Sequence, residues 1–223
     1  MTGRFLRIVG IVLLGLTAVI TLLSGIGTTC VALDATRYEG MESIADYRWL
    51  YLLYVAAGVI IGALGIRATA LLVRGRRGSY RAALVALVLG AATGLLHMAT
   101  SRALRGSSMP TDFVVYATAV TLAVFLVFRV PGIWKRVDLA GREEETGGLG
   151  AGIAMIVAAL TTLTGQYWAG PSHSIGGMNY AGAWPALMAF AGWAMLLGGA
   201  GLLARWAAGR NSAAMVQLEG RLS

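Results

Sequence analysis

The residues with the most chemical potential in this chain are few. They are two histidines, one cysteine, several methionines and a pair of arginines set in an otherwise apolar sequence. His97 and Met98 lie near the end of an apolar run, and Arg102 and Arg105 follow closely. His173 lies far downstream in the uncharged stretch Gly170 to Ala183. Imidazole and thioether groups can serve as axial ligands to haem iron. Guanidinium groups can hold a quinone oxygen or an anionic lipid headgroup. His97, Arg102, Arg105 and His173 are therefore the candidate cofactor-binding set, for haem or quinone. A bis-histidine haem clamped between two spans needs two intramembrane histidines, and only His97 meets that condition.

Cys30, Met98 and His173 form a second candidate set, a soft-ligand site suited to copper. Met41, Met109 and Met178 fall on the same side by the topology derived below, but no spacing here matches a metal-binding motif. The structural reading of His97 is a hydrogen bond to a neighbouring helix. The lone cysteine excludes an intrachain disulfide and any Cys-x-x-Cys redox or zinc site. The sequence contains no Gly-rich phosphate loop entering a helix from a strand, no Gly-x-Ser-x-Gly elbow and no His-Glu-x-x-His pair. No carboxylate lies inside an apolar run to relay protons.

The elements that would position these residues are membrane spans. Of 223 residues, 57% are hydrophobic and 13% charged, whereas a soluble domain carries about 25% charged residues. Ile8 to Leu33, Ala82 to Ser101 and Thr146 to Ala204 contain no charged residue at all. An apolar helix of about 20 residues crosses the hydrocarbon layer. Hydropathy places six spans at about 8–31, 49–73, 81–101, 113–134, 149–169 and 184–207. The expected fold is an all-α integral membrane protein forming a single membrane domain over 1–223. Within it, 8–73 is a first hairpin, 81–134 a central hairpin, 149–207 a further hairpin and 208–223 a tail with a short interfacial helix. Arg4 and Arg7 ahead of an apolar run resemble a signal peptide, but the run is long for one, so a retained first span is expected.

Charge sets the expected orientation. Arg4, Arg7, Arg74, Arg76, Arg77, Arg81, Arg129, Lys135, Arg136, Arg142, Arg205, Arg210 and Arg221 fall on one side of the six-span topology. Only Arg37, Arg48, Arg102 and Arg105 fall on the other, with Arg67 inside a span. Basic residues are retained in the cytoplasm, so both termini are expected inside, in a bacterial-type cytoplasmic (inner) membrane. The net charge of +8 thus reflects topology and not nucleic-acid binding. On the poorly basic side, Arg102 and Arg105 are expected to pair with Asp34, Glu39, Glu42 or Asp46 of the first outer loop. Glu143, Glu144 and Glu145 read as a solvated linker. Trp49, Tyr51, Tyr54, Trp168 and Trp184 at one interface, with Trp134 and Trp206 at the other, read as aromatic belts.

A recurrence links the first and last hairpins. Ala18 to Gly25 resembles Ala158 to Gly165; Gly40-Met41 recurs as Gly177-Met178; Trp49 and Trp184 open the following spans. Spans 1–2 and 5–6 are therefore expected to be a parallel duplication, which differs from the inverted repeats of many transporters. Gly58 and Gly62, and Gly90 and Gly94, are small-xxx-small pairs that let helix backbones approach. Arg67 is expected to snorkel toward the nearer interface.

The function expected from these features is that of a non-catalytic integral subunit of a larger membrane complex. It would be anchored through Gly-rich faces to other membrane subunits or to a second copy, with no bound cofactor. The alternative is a small membrane redox protein or enzyme binding quinone, haem or copper on the extracytoplasmic side. A small-molecule transporter or channel ranks third, because the interior lacks ionisable residues and broken helices.

Overall fold

A computed structural model describes residues 2–137, 144–168, 174–175, 178–179 and 185–222. It contains seven α-helices: α1 (Thr2–Leu33), α2 (Arg48–Val73), α3 (Ser79–Arg105), α4 (Thr111–Phe128), α5 (Pro131–Trp134), α6 (Glu144–Trp168) and α7 (Pro185–Leu222). All but α5 are long and apolar enough to cross a membrane. A backbone that cannot reach water must bond internally, which in a single apolar segment only the helix achieves. Between α6 and α7 two residues pair with two others, Ser174–Ile175 antiparallel to Met178–Asn179.

Proline and glycine set the boundaries. The chain has four prolines. Pro110 precedes α4, Pro131 starts α5 and Pro185 starts α7, where a missing N–H costs nothing; Pro171 lies outside the described residues. The fourth span was expected to run to residue 134, but α4 stops at Phe128. Val130 is pushed to extended geometry (ψ 127°) because the ring of a following proline excludes the helical region. Gly78 and Gly106 take positive φ at the two ends of α3, which permits the sharp turn from α2 and the reversal into α4.

The loop between the first two spans forms two 3-10 turns, Ala35–Arg37 and Glu42–Tyr47, with Ala35 and Ile44 buried. Two further expectations change. Glu144 and Glu145 belong to α6 and not to a linker, consistent with the affinity of a helix start for negative charge. The tail is no separate interfacial helix, since α7 continues unbroken to Leu222.

α1 is the central helix, packed against α2, α4 and α6. α3 lies between α2 and α4, and α7 packs along α6. Glycines control the closest seams. A methyl group on Gly62 would lie 2.7 Å from the Leu22 backbone, and one on Gly58 2.9 Å from Gly25 Cα. In the α6–α7 pair, one on Gly199 would lie 2.9 Å from the Gly152 carbonyl. Gly94 meets Val115, and Gly90 faces Ile61 and Thr118. The end of the bundle holding the N-terminus is closed by Ile11, Leu14, Leu72, Leu87, Phe125 and Phe128. The opposite, far end has a smaller core of Ala32, Ala35, Ile44 and Tyr51. Midway, Thr17 of α1 and Thr121 of α4 share a buried hydrogen bond of 2.7 Å.

Candidate functional site

The far end gathers most of the chain's unusual side chains around the α2–α3 hairpin. Because the connecting turn is short, residues equally distant from it in sequence meet across the seam. Tyr51 and Ser101 both lie 25 residues from Arg76, and Tyr51 Oη is 2.8 Å from Ser101 Oγ. One turn along, Tyr54 Oη is 2.9 Å from Thr100 Oγ1. His97 fills the space between the two rings. It stacks on Tyr54 (centroids 4.4 Å apart, 15° between planes) and meets Tyr51 edge-on at 5.3 Å.

This arrangement decides what His97 can do. The residue is 9% exposed, with one ring face covered by Tyr54. The expected interhelical hydrogen bond does not form; two tyrosines hold the imidazole by ring contact instead. Tyr51 and Tyr54 were expected to be interface anchors, yet their hydroxyls point into the protein and bind α3. Their spacing of three on α2, opposite His97, Thr100 and Ser101 on α3, is the signal in the sequence that marks this contact.

Arg102 and Arg105 do not pair with the first outer loop. Arg102 donates to Ser108 Oγ at 2.8 Å and forms an ion pair with Asp112 at 3.2 Å. Ser108 donates in turn to Asp112. Arg105 donates to the Met109 carbonyl at 2.7 Å, while its Nε is buried with no partner. Asp34 is engaged by Arg37 at 3.3 Å. The correction has a simple physical origin. Gly106 reverses the chain immediately after Arg105, so Asp112 at the start of α4 is closer to Arg102 than any acid in a separate loop.

The residues of the proposed soft-metal set occupy different settings. Cys30 is exposed in the last turn of α1, Met98 is half-buried beside His97, and His173 lies outside the described residues. Among the described residues no group of three or more His, Cys, Asp and Glu side chains is close enough to hold a metal ion. His97 is enclosed by the rings of Tyr51 and Tyr54, and Met98 follows it on α3.

At the opposite end, Arg7 is not simply a topological charge. It is 2% exposed, and its Nη2 donates to the carbonyls of Leu72 and Val73 at 3.2 and 3.3 Å. These are carbonyls of the last turn of α2; that of Leu72 also accepts from the Gly75 N–H at 3.2 Å. Arg67 is exposed on α2 and lines a groove with Arg77 and Arg81. Trp134 packs edge-on against Tyr80 at 4.8 Å and under the Arg129 guanidinium at 5.1 Å, which ties α5 back to α3. No protein-family model, no curated protein and no solved structure matches this chain.

Proposed function

We propose that this protein is a non-catalytic integral membrane subunit of a larger membrane complex, with its N- and C-termini in the cytoplasm. The observation that carries the proposal is the setting of α7. This 38-residue helix packs on α6 and has the smallest buried share of the six spans. Its outward side presents Phe190, Trp193 and Leu197, followed by Ala200, Gly201, Ala204 and Ala208. Lipid has no need of small residues at four-residue spacing, whereas a neighbouring helix uses them to approach closely. α7 is also about 57 Å long at 1.5 Å per residue, against roughly 30 Å of hydrocarbon. It therefore extends well past the bilayer on the Arg-rich side, where a partner's soluble surface can also reach it.

The far-end cluster supports the same reading. His97, Arg102 and Ser108 are occupied by contacts that lock α2, α3 and the start of α4 together. The duplication of spans 1–2 in spans 5–6 fits as well. α1–α2 and α6–α7 are both glycine-sealed hairpins, and the first has its outer face covered by α3 while the second leaves its own open.

The experiment is native mass spectrometry of the full chain extracted in mild detergent from its own membrane. A stoichiometric partner, or a defined homo-oligomer, is expected. Replacing Ala200 and Ala204 together by Leu is expected to abolish that association without loss of the monodisperse chain. Retained association in this variant would place the interface elsewhere. A monomer with a Soret band or equimolar copper would replace this reading with the redox one, centred on His97, Arg102, Arg105 and His173.

A further inference from the structure

A groove of about 360 Å³ lies between α2 and α3 at the Arg-rich end, lined by Leu64, Arg67, Leu71, Arg77, Arg81 and Val85 together with small residues. Its guanidinium groups come from three separate places: the body of α2, the connecting turn and the first turn of α3. Most other arginines of structural note have an evident task. Arg7 binds the end of α2, Arg37 pairs with Asp34, and Arg102 pairs with Asp112. Among the described residues, Arg67, Arg77 and Arg81 have no acidic partner. Three cations around one cavity repel each other, and burying part of the groove in a membrane strengthens that repulsion.

Snorkelling accounts for Arg67 alone. It lies six residues before the end of α2, about 9 Å into the span, and reaches toward the interface as a long side chain does. It does not account for Arg77 and Arg81 lining the same cavity from the other helix and the turn. The start of α3 adds to the positive field. Its N-cap is Gly78, which supplies no side-chain acceptor to the first turn; the Ser79 N–H is taken by the Arg76 carbonyl, and the helix start adds its partial positive charge to the field an anion meets.

We infer that this groove binds the phosphate of an anionic phospholipid headgroup. Its wall is amphipathic: the arginines stand at the interface end, and Leu64 and Val85 face outward beside them, 36% and 48% exposed. A free phosphate has no use for the apolar part, whereas a lipid places its acyl chains along it. Basic pockets between spans on the cytoplasmic side recognise such headgroups. The site lies on α2–α3, away from the outward face of α7, so lipid binding here and subunit association there are separate events.

The test is retention of lipid by the full chain purified in nonionic detergent and offered equal phosphatidylglycerol and phosphatidylcholine, read by native mass spectrometry. Preferential retention of phosphatidylglycerol is expected. The variant carrying Arg67→Gln and Arg81→Gln is expected to lose that preference by roughly tenfold or more, since two of the three cations that line the groove are removed. The control carrying Arg74→Gln and Arg76→Gln removes equal charge from the same end but outside the groove, and it is expected to keep the preference. Should the first variant not remain monodisperse, Arg81→Gln alone, at the helix start, is read against Arg74→Gln alone. Equal losses in groove and control variants would overturn the inference, as would no preference between the two lipids. Stabilisation by millimolar inorganic phosphate with the same arginine dependence, and without lipid preference, would also overturn it.

Discussion

Replacing Gly62 by Ala tests the packing that holds the first hairpin together. The added methyl would sit 2.7 Å from the Cα, Cβ and N of Leu22. Ordinary carbon contacts lie at about 3.5–4.0 Å, so the helices must part by roughly 1 Å. The obstruction is main chain and cannot rotate away. The strain is not local, because the same seam contains Gly58 and Gly65, where added methyls would come within 2.9 Å of Gly25 and 2.7 Å of Ala18. Parting at Gly62 therefore loosens contacts along about two turns of α1. Overpacking of this kind costs about 1–3 kcal/mol, or a fall of roughly 2–12 °C in Tm for a chain of this size. Gly27→Ala is the matched control on α1, since nothing lies within 4 Å of the position and helix propensity favours Ala by up to about 1 kcal/mol. Thermal unfolding of the full chain in one detergent, followed by tryptophan fluorescence, gives the comparison. Should Gly62→Ala melt within about 1 °C of Gly27→Ala, the close α1–α2 seam is wrong and the hairpin is held by something else.

Other substitutions probe the remaining contacts. Tyr51→Phe and Ser101→Ala are each expected to cost about 1 kcal/mol, and a double-mutant cycle should give a coupling near 0.6 kcal/mol, typical of interhelical hydrogen bonds in membranes. Additive losses would mean that the two hydroxyls do not bond. Arg7→Met is expected to destabilise by about 1–3 kcal/mol, because it removes a buried charged donor from the Leu72 and Val73 carbonyls; a denaturation midpoint unchanged from wild type would dispose of that role. Arg102→Gln is expected to leave the denaturation midpoint close to that of wild type, since Arg102 is 49% exposed and its pair with Asp112 is screened. A larger loss would mean that the pair lies in a drier setting than its exposure implies. His97→Leu keeps the packed volume between Tyr51 and Tyr54 and is expected to leave the purified chain folded and monodisperse; unfolding would show that the imidazole does more than fill and stack.

The sequence by itself determined that the chain has six segments long and apolar enough to cross a membrane. That follows from transfer free energy, which depends on the composition of each run and not on its neighbours. Charge-free stretches such as Ile8 to Leu33 leave no other destination for their backbone. Pro110, Pro131 and Pro185 stand at helix starts for an equally local reason, and Pro131 ends the fourth span short of residue 134. What only the tertiary structure decided is which side chains meet. Lipid is as apolar as leucine, so spans need no polar outer face, and hydropathy carries little information about which side of each faces protein. For that reason Tyr51 and Tyr54 read as interface residues until the short α2–α3 turn fixed their register against His97 and Ser101. Arg102 likewise reads as a partner of Asp34, Glu39, Glu42 or Asp46 until Gly106 folds Asp112 back to it. The arginines at 67, 77 and 81 are far apart along two helices and a turn, and only the hairpin brings them to one groove.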